Sequence, residues 1–195
     1  MFYLVYVETG NQGTTGATLA IALGTATVGG SHKIKVSFIE CSSRSKAPTG
    51  CVQYFTGTSG SVSSYNHLGG NLLSNQWYSV CFRQELGYCS VDFREASAAN
   101  DAFSIDTGIT TGSEITCTAA DGYISIPNDY STTSNMRCGG NLNAEDANTT
   151  PGVYSHARTT PFIMQVFTLL NTDDAAATDD ATGTGFALDY SQVPC

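Results

Sequence analysis

The sequence predicts an all-β protein, an antiparallel β-sandwich or jelly roll carrying disulfides, and three observations predict it. Short strand-like segments recur between clusters of Gly, Ser, Asn and Asp along the chain. Only 13% of the 195 residues are charged, too few Lys and Glu for long amphipathic helices. Seven cysteines stand at Cys41, Cys51, Cys81, Cys89, Cys117, Cys138 and Cys195, without Cys-x-x-Cys or Cys/His metal spacing. That usage belongs to an oxidising, extracellular compartment more readily than to the cytosol. Parallel folds would need crossover helices, for which the sequence holds no pattern.

The elements follow in order. Residues 1–7 are apolar, have no basic residue before them and meet Glu8 at once, so 2–8 is expected to be a strand and not a signal-peptide core. Further strands are expected at 17–27, 33–40, 51–55, 77–84, 89–94, 102–106, 122–126, 162–169 and 185–191. Residues 33–39 alternate polar and apolar side chains, as a half-buried sheet requires, and 185–190 do the same. Both runs lead into a cysteine, Cys41 and Cys195, a weak internal echo of two closing strands. Residues 42–50 between them have linker composition, with Pro48 and Gly50 breaking any strand. The expected organisation is the C-terminal half of an N-terminal β-domain at 1–41, a linker at 42–50 and a complete domain at 51–195. On that expectation Cys41 bonds to a cysteine upstream of this chain; one continuous domain is the alternative at this length.

Charge narrows the partners. The net charge is −9, and the eight Lys and Arg are scattered instead of gathered in a stripe, which excludes nucleic acid as an expected partner. No stretch approaches the roughly 18 to 20 apolar residues that would span a bilayer as a helix. Catalysis has little to stand on: His32, His67 and His156 lie in polar, turn-like contexts without a nucleophile-elbow motif or a short metal-binding spacing. A non-catalytic chain is expected.

Five motifs then carry a family likeness. Cys51 opens a stretch running through a Gly-Ser turn to Tyr65 and Asn66; Asn75-Gln76-Trp77-Tyr78-Ser79-Val80-Cys81 places a second cysteine after an Asn-rich turn. Cys117 precedes Asp121 and an apolar strand, Arg137-Cys138-Gly139 closes that part, and Gly185-Phe186-Ala187-Leu188-Asp189-Tyr190 supplies a terminal Gly-Phe-x-x-x-Tyr strand. Together these make residues 51–195 resemble a CUB domain, an extracellular β-sandwich module. The chain looks most like secreted arthropod proteins with CUB-like domains, and residues 17–41 resemble the end of an upstream copy. The resemblance implies disulfides Cys51–Cys81 and Cys117–Cys138, which leaves Cys89 and Cys195 as the remaining pair inside the block.

Many CUB domains bind calcium through a Glu and two Asp, so the resemblance makes calcium a possible cofactor held by Asp121 and by Asp173 or Asp174. The Glu has no aligned counterpart among Glu95, Asp106 and Glu114. The alternative is that Asp121 caps a turn and Asp173, Asp174, Asp179 and Asp180 form a solvated acidic loop. Asn148-Thr149-Thr150 is a glycosylation sequon followed at once by Pro151.

The expected function is that of a secreted protein-binding or assembly module. A subunit of a homopolymeric extracellular matrix, sheath or filament is the alternative, and a calcium-dependent ligand or carbohydrate binder a weaker one. Contact residues are expected in loops 66–70, 128–134 and 173–184, with Tyr65, Tyr130 and Tyr154 either as contact aromatics or, equally, packed against their own domain.

Overall fold

Strand formation here follows side-chain alternation. In β3 (Trp77–Phe82) Tyr78, Val80 and Phe82 are buried while Trp77 is exposed, and in β10 (Phe162–Phe167) Phe162, Met164 and Val166 are buried while Gln165 is exposed. The two strands pair antiparallel with Trp77 opposite Phe167 and Phe82 opposite Phe162, so their apolar faces coincide. β4 (Tyr88–Glu95) and β11 (Gly185–Pro194) repeat the pattern, burying Val91, Phe93, Phe186, Leu188 and Tyr190. The computed structural model describes residues 4–9, 16–20, 33–67, 72–73, 75–96, 102–105, 112–117, 122–127, 134–150, 155–157, 162–168 and 183–195.

These faces close on each other as two sheets. The first has six strands in the order β1 (Cys51–Phe55), β3, β10, β7 (Tyr123–Ser125), β8 (Met136–Gly139), β6 (Ser113–Glu114). The second runs β2 (Ser59–Ser63), β11, β4, β9 (Ser155–Ala157), with β5 (Phe103–Ser104) also paired to β11. Pairing is antiparallel throughout except between β1 and β3. No α-helix occurs among the described residues. The result is an all-β sandwich.

Phe82 anchors the core. Its ring lies 5.5 Å from that of Phe55, 5.2 Å from Phe93 and 4.8 Å from Tyr190, joining the two sheets at one point. Burying one such side chain stabilises by roughly 1.5–3 kcal/mol, so the cluster dominates this end of the sandwich. Three disulfides staple it: Cys51–Cys81 joins β1 to β3, Cys117–Cys138 ties the segment after β6 to β8, and Cys89–Cys195 joins β4 to the residue following β11.

The structure departs from the sequence expectations in two ways. Strands were expected at 2–8, 17–27 and 33–40, yet the described residues 4–9, 16–20 and 33–40 form none. Alternation supplies only the side-chain half of a strand; the backbone half needs a ladder partner, and the alternating residues 33–40 are all exposed. Conversely β2, β6, β8 and β9 were not expected. β2 is the Gly-Ser stretch that reads as a turn, and it becomes a strand because Gly60 lets the Tyr190 ring pack flush against the backbone. A Cβ at Gly60 would stand 2.8 Å from that ring.

Candidate functional site

The outward faces of the two sheets differ in chemistry. On the second sheet the outward positions of β2, β11 and β4 include Ser61, Asp189 and Arg94, with the Ser61 hydroxyl donating to Asp189 Oδ1 at 2.6 Å and Arg94 Nη2 3.7 Å from Asp189 Oδ2. Together with Ser59 and Ser191 they line a shallow polar cleft. A sandwich in water presents such a surface by default.

The first sheet does not. Trp77, Phe167 and Tyr123 stand side by side across β3, β10 and β7, because Trp77 pairs with Phe167 and Phe167 with Tyr123. The Phe167 ring meets Trp77 edge to face at 6.4 Å and stacks on Tyr123 at 5.1 Å. Trp77 remains 79% exposed. One step along the strands, Ser79, Gln165 and Ser125 form a polar row in the same register, flanked by half-buried Met136. An exposed Trp braced by two aromatics is costly to hydrate and stiff, the combination that makes a contact anchor. No local pattern marks this row, since its members come from three strands far apart in the chain and only the register unites them.

The residues singled out from sequence are placed as follows. Asp121, Asp173, Asp174, Asp179, Asp180 and Asp106 lie outside the described residues, as do Tyr130, Tyr154 and most of loops 66–70, 128–134 and 173–184. Tyr65, expected either as a contact aromatic or packed against its own domain, is half-buried; its ring sits 5.1 Å from Tyr78, and burial pushes its hydroxyl up to about 12. Its packing is internal because Tyr78 points inward from β3. Asn148 is half-buried in the loop after β8, where its side-chain oxygen accepts from Thr150 N at 2.8 Å and its backbone bonds Ser113. Cys41 is a free, exposed thiol.

Glu95 is the carboxylate of interest. It ends β4 facing inward, 6% exposed, and accepts a hydrogen bond from Leu142 N at 2.8 Å. Burial raises its carboxyl above the ordinary value, and the Leu142 N–H partly offsets that. The folded state therefore holds a proton on Glu95 at pH values where the unfolded state has lost it, so stability falls as pH rises from about 4.5 through the raised folded value. Glu95→Gln keeps an acceptor oxygen for Leu142 and removes the ionisation. We expect a higher Tm than wild type at pH 7 and converging melts near pH 4; a lower Tm at pH 7 contradicts this account. As for a cation, no group of three or more His, Cys, Asp or Glu among the described residues is arranged to hold a metal. Glu95 alone does not make a calcium site.

The animal CUB domain model matches residues 48–193, most of the chain and all of the sandwich but the last residue of β11. The chain belongs to the CUB family. CUB domains are generally extracellular, non-catalytic interaction modules, in keeping with a disulfide-bonded sandwich. No curated protein matches the chain. No helix among the described residues is long and apolar enough to cross a membrane.

Proposed function

We propose that this CUB chain is a secreted, non-catalytic module that binds an extracellular protein through the outer face of its first sheet, centred on Trp77. The observation that carries the proposal is the row Trp77, Phe167, Tyr123 on a face that water would otherwise keep polar. Membership of the CUB family supports the same class.

The test begins with a partner identified by cross-linking in the native extracellular fluid and then purified. Trp77→Ala is expected to weaken its binding by about 2 kcal/mol, roughly 30-fold in Kd, the scale of an interface Trp. Because Trp77 is 79% exposed, the same change should move stability by no more than about 0.5 kcal/mol. Arg94→Ala on the opposite face should leave affinity unchanged. A Trp77 variant that binds at wild-type strength would sink the proposal. Sedimentation of the unliganded chain separates the alternatives, since stable homopolymers favour the matrix or filament role. Binding that disappears in chelator and returns with calcium favours the calcium-dependent one.

A further inference from the structure

An edge strand exposes unpaired N–H and C=O groups that accept another strand unless something covers them. β1 is such a strand: it ends the first sheet, with β3 on one side only. On its other side lies the chain's own segment 4–8. Tyr6 N donates to Val52 O at 2.8 Å, the Tyr6 ring meets Tyr54 edge to face at 6.1 Å, and the Thr49 hydroxyl donates to Glu8 Oε1 at 3.3 Å. Lys46 Nζ lies 4.0 Å from the same Glu8 oxygen, and the Tyr65 hydroxyl donates to Leu4 O at 3.5 Å. Glu8 thus lies before the start of β1 and Tyr6 beside its middle. The segment runs antiparallel to β1.

The attachment is light. Tyr6 makes one backbone hydrogen bond to β1, and Leu4, Val5 and Val7 are 64%, 53% and 66% exposed. One such bond contributes about 1 kcal/mol, and the contacts beside it are surface contacts of small value. What holds the segment is mainly its tether, through residues 9–50, which keeps it at an effective concentration on the order of millimolar. A ligand held this way is displaceable.

We propose that the free edge of β1 is a strand-docking site and that segment 4–8 of this chain is its resident occupant, a built-in cover that shields the edge from other strands. The site reads an extended, apolar strand entering antiparallel, with an aromatic opposite Tyr54 and a carboxylate within reach of Lys46 and Thr49. This is independent of Trp77, whose strand β3 lies on the far side of β1.

The experiment uses the full chain and a fluorescent peptide of residues 3–9. Tyr6→Pro removes the donor N–H and the ring contact, opening the edge without touching the buried core. The peptide is expected to bind Tyr6→Pro at least tenfold more tightly than it binds wild type, and a peptide carrying the same proline is expected to bind neither. In wild type, the Tyr6 amide should exchange with deuterium at least tenfold more slowly than those of Val5 and Val7. Equal binding of the peptide to both chains, binding to neither, equal binding of the proline peptide, or equal exchange at the three amides would each overturn the proposal.

Discussion

Removing the Cys89–Cys195 disulfide in a Cys89→Ser, Cys195→Ser chain is expected to lower stability by about 4 to 5 kcal/mol, more than removing either of the other two bridges. The bond spans a sequence separation of 106, against 30 for Cys51–Cys81 and 21 for Cys117–Cys138. In the loop-entropy account, closing these loops constrains the unfolded chain by about 4.7, 3.6 and 3.3 kcal/mol respectively. The native state should survive the loss. β11 pairs with β4 through seven positions, and Gln192 reaches across to accept from Glu85 N at 2.9 Å while donating to Gly57 O and Arg83 O. Cys89 and Cys195 are both exposed, so Ser at either position buries no new hydroxyl. The buried cysteines of the other two bridges should be changed to Ala for a fair comparison. Equilibrium urea unfolding gives the order directly. If the 30-residue bridge proves the costlier one, native-state packing and not loop closure governs these bonds.

The parts of the fold legible in the sequence are those where one strand carries its own evidence. β1, β3, β4, β7, β10 and β11 each show apolar residues at alternate positions or a short apolar run, and each was expected within a few residues of where it lies. β2 was hidden because its reason for being a strand is the flat backbone at Gly60, which seats a tyrosine from β11. β6 and β8 were hidden because they are short and hold Ser113, Arg137 and Cys138, residues buried by neighbours and not by their own hydrophobicity. Residues 33–40 show the converse, a good pattern that forms no strand among the described residues. The sheet-face site was illegible for a related reason. Trp77, Tyr123 and Phe167 were each visible as aromatics, but their alignment depends on the order β3-β10-β7, which no local pattern encodes.

Gly185→Ala should be nearly as damaging, and it explains why the closing strand begins with glycine. Gly185 has φ +92°, and a Cβ there would stand 2.1 Å from Ser64 Oγ, 3.1 Å from Leu72 Cδ1 and 3.2 Å from Ser64 Cβ. Ser64 is fully buried and cannot swing outward; its Oγ accepts from Phe186 N at 3.1 Å, and its own N–H donates to Phe186 O at 2.9 Å. Alanine would therefore impose backbone strain of about 1–2 kcal/mol, crowding of about 1–3 kcal/mol, and the loss of a buried bond worth about 1 kcal/mol. A net loss of roughly 4 kcal/mol is expected, a large part of the 5–15 kcal/mol a domain typically has. Gly50→Ala isolates the backbone component, because Gly50 has φ +87° but nothing within 4 Å of the added carbon. That variant should lose only about 1–2 kcal/mol. Urea midpoints for the two variants that coincide would mean the Ser64 pocket yields at little cost; a gap of about 2 kcal/mol places the conflict where β11 enters the core, between Ser64 and Phe186.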